Sequence, residues 1–207
     1  MLIVWLLLSS PLIGYPTTAP EAVLKLEQPA ANAVLGVAAV SVSGIYEGDL
    51  FSVSCNDHEG VVFGSKFVVE DVPLKEGPNH LLVKATDAGG KISEAPLDLV
   101  CDLTPPRVKL LDPKAGAVLG VFRARVSGTI TDATAVTMRV NGMPVDVQAG
   151  RFEVDVPLLE GGNSIRVEAV DAAGHVSEAR TEVTVDATAP RILIGQPVSG
   201  TVTRQNA

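Results

Sequence analysis

The sequence predicts an all-β chain of tandem antiparallel β-sandwiches, and three observations carry that prediction. The chain repeats itself after 84 residues, its apolar side chains alternate with a period of two, and turn-forming residues interrupt it about every 8–12 residues. Shifted by 84, "LEQPAANAVLGV" (26–37) falls on "LLDPKAGAVLGV" (110–121), and "VSG" (42–44) on "VSG" (126–128). "DVPLKEGPN" (71–79) falls on "DVPLLEGGN" (155–163), "VKATDAGGKISEA" (83–95) on "VEAVDAAGHVSEA" (167–179), and "DLTPPR" (102–107) on "DATAPR" (186–191). A second shift carries Pro113 to Pro197 and Gly116 to Gly200. The expected organisation is a leader over 1–20, one sandwich over 21–105, a second over 106–189, and over 190–207 the first strand of a truncated third copy. The chain then reads as part of a longer array, or as a gene model that ended early.

In chain order, "LIVWLLLSSPLI" (2–13) is the one strongly apolar run. It has the length of a signal-peptide core, is short for a helical membrane span, and is followed by small and polar residues, so export is expected. It lacks a preceding Lys or Arg, and a buried strand is the competing reading. No Cys follows it, which disfavours a lipid anchor.

Within each copy the alternation marks strands with one buried face. Val136, Met138 and Val140 share a face, as do Phe152, Val154 and Val156, then Ile165, Val167 and Ala169, then Val183 and Val185. Asn141-Gly142 signals a two-residue hairpin, because both residues tolerate positive φ. "DAAG" (171–174) places Asp at the start of a turn and Gly where the chain reverses. About seven short strands per copy is the sequence mark of a sandwich.

The run Leu158, Glu160, Gly161, Asn163, Ile165, Val167, Ala169, Asp171, Gly174, Ser177, closed by Asp-x-Thr-x-Pro, resembles bacterial immunoglobulin-like repeats. These include the accessory domain named for glucodextranase and the stalk repeats of bacterial surface proteins. The resemblance covers about residues 22–190 and implies an immunoglobulin-like fold. It does not by itself choose a function, since such modules accompany adhesins and hydrolases alike. The family's Ala-Gly-Asn reads Ala-Gly-His175 here and Gly-Gly-Lys91 in the first copy. Without the family, the same residues have structural jobs: Leu158 covers the end of the core, Gly161 and Asn163 shape one turn, and Asp171 caps the next.

The formal net charge is −8, and no basic stripe interrupts it, so nucleic acid is an unfavourable partner. Enzymatic signatures are missing: the three histidines, His58, His80 and His175, are widely separated, and no HExxH, GxSxG or phosphate-loop motif occurs. The prediction is therefore no enzyme and no cofactor. A carbohydrate platform would need exposed aromatic faces. Phe51, Phe67 and Phe152 lie in strand patterns that suggest core, which leaves Tyr46, in the polar stretch "IYEGD", as the aromatic expected at the surface. Calcium is the other alternative, with Asp102, Asp171 and Asp186 as candidate ligands and Glu47, Asp49 and Asp132 nearby in loops, although no DxDxDG loop exists.

The two cysteines, Cys55 and Cys101, both belong to the first copy and alternate into the apolar set of their strands. An exported protein favours a disulfide between them. In an immunoglobulin-like sheet these strands can flank a third, and two free buried thiols are the alternative. The functional expectation is a non-catalytic spacer, stalk or adhesion module of an exported bacterial protein. Its partners would be neighbouring domains of a longer chain, with a cell-surface protein or polysaccharide as a further candidate. Short Pro-containing junctions are expected to hold neighbouring domains in a fixed line. The alternative is an accessory module of a secreted polysaccharide-degrading enzyme.

Overall fold

The computed structural model describes residues 24–193 together with 195 and 200. The leader and most of the tail expected to start a third copy therefore lie outside the described residues. No helix occurs among the described residues; the chain is strands and turns throughout.

The first repeat contains β1 (Leu24–Gln28), β2 (Val34–Leu35), β3 (Ala39–Tyr46), β4 (Leu50–Cys55), β5 (His58–Glu59), β6 (Val61–Phe63), β7 (Lys66–Pro73), β8 (Gly77–Asp87) and β9 (Ile92–Cys101). One sheet has the order β1-β3-β7-β6, the other β2-β9-β8-β4-β5. The second repeat contains β10 (Arg107–Asp112), β11 (Ala117–Leu119), β12 (Arg123–Thr131), β13 (Thr137–Val140), β14 (Met143–Val145), β15 (Arg151–Pro157), β16 (Gly161–Val170) and β17 (Val176–Val185). Its sheets run β10-β12-β15 and β11-β17-β16-β13-β14. Each repeat is an immunoglobulin-like sandwich, and one pairing in each departs from the antiparallel expectation. The short β2 runs parallel to β9, and β11 parallel to β17, with Ala117 opposite Val183.

The period-two pattern explains the cores. In the second repeat Ala124, Val126 and Ile130 from β12, Met138 and Val140 from β13, Phe152 and Val156 from β15, and Ile165, Val167 and Ala169 from β16 close on one another. Alternate positions on these strands are mostly polar and exposed or half-buried, as a sheet with one face toward water requires. Asn141 and Gly142 both take positive φ, 45° and 80°, and join β13 to β14 as the hairpin signal foretold. Gln28-Pro29 and Asp112-Pro113, equivalent by the 84-residue shift, are both cis.

The "VSG" motif has a packing reason. Gly44 and Gly128 sit on inward-facing positions of β3 and β12, beneath Phe67 and Phe152. A Cβ at Gly128 would lie 2.4 Å from Phe152 Cζ and 2.5 Å from the Lys109 carbonyl oxygen; at Gly44 it would lie 2.7 Å from Phe67 Cζ and 2.3 Å from the Lys25 carbonyl oxygen. The two phenylalanine rings can lie flat against the strand only because both glycines lack a side chain.

The residues gather into two compact units. Among the described residues, the first comprises 24–33, 39–74 and 78–99; the second comprises the described residues from 100 onward together with the short segments 34–38 and 75–77. Asp102 and Gly36 both fall in the second unit.

Candidate functional site

The one group of His, Cys, Asp and Glu side chains among the described residues whose arrangement suits a metal is Asp102, Asp171 and His175, with one ligand atom from each within 4.8 Å of the others. It forms at a turn. The chain leaves β16 at Asp171 and re-enters β17 at Val176, and Gly174, at φ 93°, supplies the reversal. Asp171 caps this turn. Its Oδ1 accepts the His175 backbone N–H at 2.8 Å, and its Oδ2 lies 2.9 Å from Nδ1 of the His175 ring. In the first repeat Asp87 makes the equivalent bonds to the N–H groups of Gly89 and Lys91.

Asp102 comes from the opposite direction in sequence. It directly follows β9 and is almost fully buried, 1% exposed, as is Asp171 at 6%. Its backbone N–H donates to the Leu35 carbonyl. Its Oδ1 accepts from the Thr104 N–H and hydroxyl, and its Oδ2 lies 2.8 Å from the Thr134 hydroxyl. That hydroxyl also stands 2.9 Å from Asp132 Oδ1, and the Ala172 N–H points at it from 3.4 Å. A hydroxyl has one proton, so Thr134 serves one of the two carboxylates at a time.

The electrostatics follow from this crowding. Burial, the largest influence, pushes the Asp171 carboxyl upward, but the His175 and Ala173 backbone N–H groups and the His175 ring together outweigh it. They hold the carboxyl below its usual range. Chemically the cluster can do two things. It can close on itself, with His175 and the threonines as its donors, or its carboxylate oxygens can ligate a hard cation at the expense of those donors. Asp102, Asp171 and His175 are the residues that would hold such an ion.

Of the calcium candidates, then, the structure brings Asp102 and Asp171 together and leaves Asp186 apart and exposed. Asp132 reaches the group through Thr134. His175 stood out in the sequence only as a departure from Ala-Gly-Asn, and Thr134 did not stand out at all.

Three sequence expectations are corrected. Tyr46 is not a surface aromatic: it is completely buried, because the alternation Val42-Gly44-Tyr46 carries its ring inward at the end of β3. Phe51 is not core: the β4–β8 register shifts between Leu50 and Ser52, and the ring is 75% exposed, whereas Phe67 and Phe152 are buried. Cys55 and Cys101 are free buried thiols, not a disulfide. They lie on β4 and β9, which are not neighbours in the sheet order, and Cys55 is opposite Val83 of the intervening β8. Burial pushes the thiol of each upward, and at Cys101 the carboxylates of Glu76 and Asp102 add to the effect.

Comparison with known proteins agrees with this architecture. The chain is 30% identical over 120 residues to Bacillopeptidase F of Bacillus subtilis, a span of 58% of the chain and 8% of that protein. Among solved structures it is similar to the fibronectin(III)-like modules of Clostridium thermocellum CbhA, at TM-score 0.51 and 16% identity, over 84% of the chain and all of the other. It is also similar to the I67–I69 fragment of the titin I-band, at TM-score 0.54 and 14% identity, over 80% of the chain and 65% of the other. The structural likenesses, at such identities, speak for the fold alone. Residues 106–188 match the family model of glucodextranase domain B, so the second repeat, an immunoglobulin-like sandwich, is similar to that domain.

Proposed function

We propose that the chain is a non-catalytic spacer or stalk segment of an exported bacterial protein. The observation that carries this reading is that the recurrent residues of the two repeats make the same structural bonds in each. Asp87 and Asp171 cap equivalent turns. Glu76 accepts the Leu103 N–H and Glu160 the Ala187 N–H, again equivalent by the 84-residue shift. Residues that recur because they build the module leave function to whatever the module carries. The chain spans 8% of Bacillopeptidase F, which supports a module within a much longer protein. The likeness to that bacterial protein and to glucodextranase domain B supports export.

The match to glucodextranase domain B favours one second reading, an accessory module of a secreted polysaccharide-degrading enzyme. Sequencing the gene on both sides separates the two: further 84-residue copies support the spacer, and an adjacent hydrolase domain supports the accessory module. For the chain itself, incubation with starch, dextran, cellulose and casein is expected to give no products and no retention on the insoluble glucans. Retention on a glucan would favour the accessory reading, and turnover of any of them would overturn both.

A further inference from the structure

We infer that the rim of the second repeat formed by Gly120, Val121, Phe122 and Leu159 around Asp186 is a docking surface for a further copy of the same repeat. This inference rests on the spacer reading and deepens it.

The 84-residue shift pairs Gly120, its neighbour Val118 and Asp186 with counterparts in the first repeat. Gly36 corresponds to Gly120, Val34 to Val118, and Asp102 to Asp186. The local backbone is the same at both places: the Asp102 N–H donates to the Leu35 carbonyl at 3.0 Å, and the Asp186 N–H to the Leu119 carbonyl at 2.9 Å. Glu76 and Glu160 tie down the following residue in the same way. What differs is the cover. A Cβ at Gly36 would stand 3.1 Å from Cε1 and Nε2 of His175 and 3.2 Å from the Ala173 carbonyl oxygen; at Gly120 it would meet nothing within 4 Å among the described residues. Asp102 is buried against Thr134 and the 171–175 turn, whereas Asp186 is exposed. Val118 is 69% exposed, against a half-buried Val34.

The second repeat thus presents a finished copy of a surface that, in the first repeat, is covered by a hydroxyl-bearing loop and an Asp-x-x-x-His turn. Its apolar content is also higher. Phe122 and Leu159, 55% and 78% exposed, stand where the first repeat has Ala38 and Lys75. Exposed apolar side chains beside an exposed carboxylate suit a partner that offers a hydroxyl donor ringed by apolar surface. The counterpart of the 132–136 and 171–175 loops in a further repeat has that chemistry.

The test is a chain in which residues 1–189 are followed by a second copy of residues 106–189, which preserves the junction "DATAPR". Backbone amides of 118–122 and 157–161 are expected to exchange with deuterium at least roughly tenfold more slowly than in the original chain. Asp186→Ala should leave the original chain's melting temperature unchanged and lower that of the extended chain by about 2–4 °C. Thr134→Val in the appended copy alone should abolish that difference. Equal exchange in the two chains would overturn the docking surface. So would self-association of the original chain that protects the same residues, because the occupant would then be a second molecule. Turnover of a glucan or peptide would sink the spacer reading and leave the protection result standing, so the two failures are distinguishable.

Discussion

Asp171 shows how much one carboxylate does in this fold. It is buried, yet its pKa is lowered, because two backbone N–H groups and an imidazole reach it in a turn whose other residues cannot replace it. Removing it leaves those donors inside the protein without an acceptor. Asp171→Ala is expected to cost about 1–3 kcal/mol in urea unfolding at pH 7. The sign of the pH dependence follows from the lowered value. A carboxyl with a folded pKa below its unfolded 3.8 stabilises fully above that value and ceases to do so as pH falls through the folded one. The gap between wild type and Asp171→Ala should therefore narrow as unfolding is measured below about pH 3.8. The same protein decides between the cluster's two chemistries. If His175, Thr104 and Thr134 suffice as donors, melting with calcium and with chelator will coincide. A drop of several degrees on chelation would instead make Asp102, Asp171 and His175 ion ligands.

At the scale of the element, the strands were legible wherever alternation ran for four residues or more, and the element boundaries failed where it did not. β13, β15, β16 and β17 came straight from the pattern, and the Asn141-Gly142 hairpin from two residues. The parallel β2 and β11 did not, since two or three residues carry no periodicity and their partners lie far along the chain. Phe51 was misplaced because a shift in register within β4 moves a side chain across the sheet, which spacing alone does not reveal. Thr134 was invisible for a similar reason: only the fold places it between Asp102 and Asp132. The "VSG" repeat was visible but unexplained until the phenylalanine rings were seen against it. That explanation predicts that Gly128→Ala, a substitution normally mild in a strand, costs about 1–3 kcal/mol by overpacking. Gly128→Ala combined with Phe152→Leu should recover part of the loss, because the clash with the ring is relieved and that with the Lys109 carbonyl is not. Equal stabilities for Gly128→Ala and wild type in urea would refute the packing account.

For the whole molecule, the question is what holds it folded if no covalent bridge does. The expected export argued for a disulfide, but the fold gives each repeat its own apolar interior and leaves Cys55 and Cys101 as small buried side chains within it. Cys101 Sγ even donates to the Val37 carbonyl at 3.3 Å, so the thiol hydrogen has a structural partner. Exposed ion pairs add little. Arg166 reaches both Glu168 and Glu178, and Arg180 also bonds Glu178, whose carboxyl these arginines hold down to about 2, yet all lie at the surface, where such pairs are weak. Stability should then be indifferent to redox state. Melting of the chain with and without reductant is expected to agree within a degree, and thiol titration of unreduced protein should find two reactive groups once it is unfolded and almost none before. Loss of several degrees on reduction would restore the bridge. Because oxidation contributes nothing, the repeats should fold equally well in a reducing compartment, and expression there is expected to yield the same two sandwiches.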